Sequence, residues 1–329
     1  MNLSIKKLTN QLLSGLNDRQ RDILESRYGL SNPETQTLQA IGDRYGITRE
    51  GIRRIEEQAL ENVAKNTGKG NFAEFVKLVK DALRKMGGVR GESDLVKDTR
   101  YLINDRLNPD LFLNHLKFLL EVSHSVNYQS ETKEFHNHWY LSEDDRKKAI
   151  AFIGFLAKAL KKGEAPDSYF KQLYATNFAS ISKKFSVNVY GEFGLADSSL
   201  IVPKSARDWA YLILRKGGKP MHFFELAGLV NQHQKEKFHP QTVHNELIKD
   251  DKFVLVGKGT YALREHGYIP GIAREVIARL IKENGPLHSR QVVKLVSQER
   301  FFKENTVLIN LQNKSYFKRL SDGRYSVLA

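Results

Sequence analysis

Arg49, Arg53 and Arg54 lie within six residues of one another, with Glu50 between them and Glu57 a turn further on. Rotating each residue by about 100°, as in an α-helix, gathers these five side chains into an arc of about 140°. Ile52, Ile55, Ala59 and Val63 fall on the other side. One face can then be buried while the other presents guanidinium forks, which match guanine edges and phosphates, and a carboxylate, which accepts from the amino group of cytosine. That is the chemistry of a helix that reads duplex DNA. A plain solvated surface held by pairing at i,i+4 uses the same residue types, so the elements around the helix have to decide.

The preceding stretch, TLQAIGDRYG, supplies them. Thr37 is placed to cap a helix whose apolar stripe is Leu38, Ile41 and Tyr45, with Ala40 as a small contact,. Gly46 ends that helix and Thr48 caps the next,. Helix, short glycine-containing turn and capped helix form a helix-turn-helix, whose second helix enters the major groove. The expected site therefore comprises Thr48, Arg49, Glu50, Arg53 and Arg54, with Lys65 at most a phosphate contact.

The whole chain favours a polyanionic partner. Its 329 residues include 52 Lys+Arg against 38 Asp+Glu, for a pI near 9.6, and such an excess is drawn to phosphates through counterion release. The balance is uneven: +4 over residues 1–86, +1 over 87–204 and +9 over 205–329. The absence of cysteine removes disulfides and thiolate metal sites,. No apolar run approaches the roughly 18 residues of a membrane span, and MNLSIKKLTNQLLSGL has no continuous apolar signal core,. A cytoplasmic, nucleoid-associated protein with no membrane contact is expected.

The segment LNDRQRDILESRYGL…TLQAIGDRYGITREGIRRIEEQAL resembles region 4 of the bacterial sigma-70 family, the module that reads the −35 promoter element and docks on the flap of RNA polymerase. The resemblance rests on the Arg-Tyr-Gly-Leu closure at Arg27 to Leu30, the helix-turn-helix, and Thr48-Arg49-Glu50 followed by Ile52-Arg53 and Ile55-Glu56. It implies that Arg49, Glu50 and Arg53 contact promoter bases or phosphates, and that double-stranded DNA and the polymerase core are the partners. Gly51 departs from the family's usual basic residue, and Arg54 from its common Gln. Family members hold the flap through apolar residues flanking the motif. Leu12, Leu13, Ile23, Leu24, Phe72 and Phe75 are the candidates here, with most of them expected to close the module's own small core and an unburied remnant left to dock,. The resemblance covers about a sixth of the chain, and the family's promoter-melting region has no expected counterpart. A factor that acts with polymerase without melting DNA itself is expected; the alternative is a stand-alone DNA-binding or chromosome-organising protein.

The carboxy-terminal part repeats itself. KGGKPMHFFELAGLV and KENGPLHSRQVVKLV align at an offset of 66, and after a two-residue shift Val243, Leu247, Phe253 and Tyr261 match Val307, Leu311, Phe317 and Tyr325,. Each copy reads as three helices followed by two short strands around a glycine turn, a winged-helix pattern. The first copy resembles the HARE-HTH family, whose winged helices occur in the delta subunit of RNA polymerase and in chromatin and restriction proteins. Lys252, Lys258, Lys314, Lys318, Arg319 and Arg324 fall on or near the wings and are the expected phosphate contacts there,.

The expected fold class is mainly α with small β-wings: a helix-turn-helix domain at 1–68, winged-helix units at 69–142 and 143–204, the second degenerate, a HARE-HTH-like winged helix at 205–266 and its repeat at 267–329. Trp139 and Trp209 are assigned to the core. His115, His124, His136 and His138 are the one cluster that invites a metal reading; His222 and His288, each following Pro by two residues, suit helix entry and capping, or a phosphate held at the helix end,. There is no P-loop, dinucleotide fingerprint or nucleophile elbow,. No cofactor, metal or enzymatic activity is expected.

Overall fold

The computed structural model describes residues 4–67 and 71–328. They divide into two units, Met1–Asp197 and Ser198–Ala329, each mostly helical with small antiparallel sheets.

The first unit opens with α1 (Ile5–Leu13), α2 (Asp18–Tyr28), α3 (Leu38–Tyr45) and α4 (Arg49–Ala64). Their ends are set locally. Asn17, Thr37 and Thr48 accept from the backbone N–H groups of Gln20, Ala40 and Gly51 at 2.9, 3.1 and 3.1 Å. Gly29 and Gly46 close α2 and α3 in the left-handed conformation, which an L side chain adopts only at a cost. The expected boundary at 68/69 lies outside the described residues.

Next come α5 (Asn71–Lys85), β1 (Val89–Gly91), α6 (Glu92–Ile103), α7 (Pro109–Ser123), β2 (Asn127–Gln129) and β3 (His138–Tyr140), the sheet running β1-β3-β2. The series α8 (Glu143–Lys161), α9 (Asp167–Phe170), α10 (Ala175–Ser180), β4 (Phe185–Val187) and β5 (Phe193–Leu195) completes the unit. The helix α7 is apolar on several sides and buries Phe112, His115, Leu116, Phe118, Leu119, Leu120 and Val122. A helix hydrophobic nearly all round belongs inside, and α7 packs on α1, α2, α4 and α6. One apolar core consequently runs from Ile5 to Trp139 and joins α1 and the end of α4 to α5, α6 and α7.

That shared core takes in five of the six residues considered for polymerase docking, and Ile23 is buried in a separate cluster with Ile41 and Ile52. Leu12, Leu13, Ile23, Leu24, Phe72 and Phe75 are all buried, none more than 4% exposed. Removing side chains of this size from water stabilises the fold by about 1.5–3 kcal/mol each. They close the interior, and none of the six contributes to an exposed apolar patch.

The second unit contains α11 (Ala206–Gly217), β6 (Met221–His222), α12 (Phe223–Gln232), α13 (Pro240–Lys249), β7 (Phe253–Gly257) and β8 (Thr260–Leu263), with the sheet order β6-β8-β7. It continues with α14 (Ala273–Asn284), α15 (Ser289–Glu299), α16 (Glu304–Leu311), β9 (Phe317–Arg319) and β10 (Tyr325–Val327). The sequence repeat has a physical basis: Leu226, Val230, Val243, Leu247 and Phe253 are buried, and so are their counterparts Val292, Val296, Val307, Leu311 and Phe317. Met221 pairs with Tyr261, and Leu287 pairs with Tyr325 in the same way. Arg300 is buried and donates to the carbonyl of Ile269. Both tryptophans are buried as expected, and Trp209 stacks on His233 at 4.9 Å.

Candidate nucleic-acid interface

A small cluster of Ile23, Ile41 and Ile52, flanked by Leu38, Tyr45, Ile47 and Ile55, locks α3 and α4 onto α2. Polar contacts reinforce it at the rim. Arg44 and the Tyr45 hydroxyl both donate to Asp22, the latter at 2.7 Å. The turn between α3 and α4 is tight at Gly42, where a Cβ would come within 2.6 Å of the Ile47 carbonyl oxygen. Glycine at this position lets α3 press against the turn, a close approach the sequence pattern did not single out. Gly51 meets no such obstacle: a Cβ there would lie 3.4 Å from Thr48 Oγ1.

With its buried face fixed, α4 exposes Arg49, Glu50, Arg53, Arg54 and Glu57 together. Arg53 donates through Nε and Nη2 to the two Glu50 oxygens, both at 2.8 Å, and through Nη1 to Glu57. Arg54 approaches Glu50 at 3.4 Å and keeps 77% of its side chain exposed. Arg49 has no side-chain partner among the described residues. The Arg53 guanidinium holds the Glu50 carboxyl at a pKa of about 2, so Glu50 is an anion, and an acceptor, at any working pH. Lys65 donates to Asn62 at 3.2 Å, and Arg27 braces the far side of α4 through Glu56 at 3.3 Å.

Elsewhere the expected site residues are dispersed. Lys258, Lys314, Lys318 and Arg319 are exposed, with no side-chain partner among the described residues. Lys252 lies over the Tyr211 ring at 5.2 Å, and Arg324 is held by Asp322 at 2.6 Å. The third helices of the two repeats, α13 and α16, carry one cation between them: Lys249, which pairs with Glu246 at 3.0 Å.

The histidines do not converge. His115 is buried against the Thr9 hydroxyl at 2.8 Å, His124 ends α7, and His138 is turned to the carbonyl of His136. No three His, Asp or Glu side chains are grouped to hold a metal among the described residues. His222 caps α12 by accepting from Phe224 N–H at 3.3 Å, and the backbone of His288 donates to Gln291 at the start of α15. No described helix is long and apolar enough to cross a membrane.

A capped helix-turn-helix with an exposed arginine face on its second helix is the architecture of a DNA-binding module. The family model for Sigma-70, region 4 matches residues 12–65. RNA polymerase sigma factor SigA of Listeria monocytogenes is 39% identical over 59 residues, covering 18% of this chain and 16% of that protein. The amino-terminal part of the chain therefore carries a helix-turn-helix of the sigma-70 region 4 type, a DNA-binding module. The remainder of the chain lies outside these matches.

Proposed function

We propose that the protein is a DNA-binding transcription factor that acts with RNA polymerase at promoter DNA, placing α4 in the major groove. The single observation that carries this reading is the α4 face: three arginines and an ionised carboxylate, held on a buried isoleucine cluster inside a segment matching sigma-70 region 4. Arg49, Glu50, Arg53 and Arg54 are the base and phosphate contacts, and Thr48 fixes the helix start against the backbone of the groove.

The four succeeding sets of three helices and a β-hairpin, over 69–142, 143–204, 205–266 and 267–329, act in this reading as winged-helix units, the third of the HARE-HTH kind. Their element order and the shared strand orders β1-β3-β2 and β6-β8-β7 support it. Lys252, Lys258, Lys314, Lys318, Arg319 and Arg324 supply phosphate contacts. A polymerase contact at the flap belongs to the same proposal.

The burial of all six apolar docking candidates favours a second reading, a stand-alone DNA-binding or chromosome-organising protein. Reconstitution separates the two. Core polymerase is mixed with the full chain on duplex promoter DNA, with and without a housekeeping sigma factor. The first reading expects binding to core polymerase and altered initiation only when the sigma factor is present. Failure to bind core polymerase, with DNA binding intact, selects the second.

A further inference from the structure

The opening turn of α12 carries rings that its repeat does without. His222, Phe223 and Phe224 correspond at the offset of 66 to His288, Ser289 and Arg290, and the second copy closes its core with no aromatic side chain at those last two positions. The fold therefore does not require Phe223 and Phe224, and Phe224 is 61% exposed.

The rings are ordered into a stack. Phe223 lies on His244 of α13 at 4.4 Å and 20° between planes, and His244 meets the buried Tyr261 edge-on at 5.6 Å. Phe224 packs on Phe223 at 4.5 Å and lies parallel to His222, 5° between planes at 5.9 Å. The series is anchored at Tyr261 and ends outward at Phe224. The wing turn is pressed against it: a Cβ on Gly259, whose φ is +67°, would come within 2.6 Å of His222 Nε2 and 3.0 Å of Phe223. Lys258, the residue before, is exposed and unpartnered among the described residues. Gln241 and Asn245, exposed on α13, place amides beside His244, with Gln241 Nε2 at 3.1 Å from its Nδ1. Glu225 is the one exposed carboxylate adjoining Phe224 in sequence.

An aromatic platform with an open outer ring, flanking amides and a free ammonium is what an unpaired base and its phosphate need. A duplex keeps its base faces stacked inside and offers none. The neutral α13, whose single lysine is already paired, is poorly suited to a phosphate-lined groove,, while residues 205–329 carry a net charge of +9 to attract a strand. We propose that this face binds single-stranded DNA, with one unpaired base stacked on Phe224 and a neighbouring phosphate at Lys258. The inference is independent of how α4 uses duplex DNA.

The test uses the full chain and fluorescein-labelled 12-nucleotide probes, one of thymidines and one abasic, in anisotropy titrations at fixed salt. Wild type should prefer the thymidine strand, and Phe224→Ala should lower that affinity about tenfold, as expected for one stacked base, leaving the abasic strand unaffected. Phe224→Trp should preserve the preference, and Phe224→Leu, which keeps apolar bulk and fold, should lose it. Lys258→Gln should weaken both probes and reduce the salt slope by about 0.7. Equal binding of the two probes by wild type overturns the proposal. So does an unchanged thymidine affinity in Phe224→Ala and Phe224→Leu, including the case where those variants lose a protein partner instead.

Discussion

Replacing Arg54 by Gln should change which DNA sequence the protein selects without abolishing binding. Arg54 is only loosely held on the α4 face, 77% exposed and touching Glu50 only at 3.4 Å. Releasing an exposed pair of that kind costs about 0.2–1 kcal/mol, whereas a bidentate contact to guanine is worth about 1–3 kcal/mol of discrimination against the wrong base. The base contact wins, and Arg54 is free to make it. Arg53 is different: it must first leave both Glu50 oxygens and Glu57. Gln fits adenine better than guanine, so Arg54→Gln should shift the preference at one position by roughly 5- to 150-fold. Selection from a random duplex pool, followed by titration of the winning and single-base-changed sites, reads this directly. Lys65→Gln, off the arginine arc, should weaken all sequences alike. Identical motifs for wild type and Arg54→Gln would refute the idea that this arginine reads a base.

Further outcomes follow from other parts of the fold. Ile52→Ala hollows the three-isoleucine cluster and should destabilise the first unit by about 2–5 kcal/mol, seen as a lower thermal midpoint together with weaker duplex binding; an unchanged midpoint would mean that α4 is held by something else. Burial, with help from Lys6, keeps His115 below the ordinary imidazole value of 6.5, and burial does the same for His138. The unfolded chain therefore takes up protons first, and stability should fall as pH drops below 6.5 toward the lowered folded values,; His115→Gln should flatten that profile in pH-dependent denaturant titrations. Finally, changing Lys314, Lys318 and Arg319 together to Gln should reduce the slope of log duplex affinity against log salt by about 0.9 for each phosphate that these side chains neutralise, and an unaltered slope would remove these residues from the DNA surface.

What could be read in the sequence was what short stretches of chain decide. Thr37, Gly46 and Thr48 act on their own helix ends, so their types and spacing announce the turn before any tertiary contact forms. The repeat was legible because identical folding demands put apolar residues at matching positions such as Val243 and Val307. That Leu12, Leu13, Phe72 and Phe75 mostly close a core was expected, but what buries them was not, because Phe112, Leu116 and Phe118 come from a helix tens of residues away. Strands as short as Met221–His222 carry too few residues to show a period, and only their pairing with Thr260 and Tyr261 defines them. On α4 the pattern identified the exposed arc, but only the rotamers distinguish Arg53, tied to Glu50 and Glu57, from the nearly free Arg54. The ring stack at Phe224 needs α13 and the wing brought against α12, which no local spacing reveals.

The central claim, that α4 lies in the major groove of duplex DNA, can be tested by tethered cleavage. The chain has no cysteine, so Gln58→Cys creates a unique attachment point for an iron chelate on the exposed part of α4. On the selected site, the account predicts cuts confined to a few nucleotides on each strand facing one major groove, abolished when Arg49, Arg53 and Arg54 are changed to Gln. Cleavage spread evenly along the duplex, or a pattern that survives replacement of the three arginines, would contradict it.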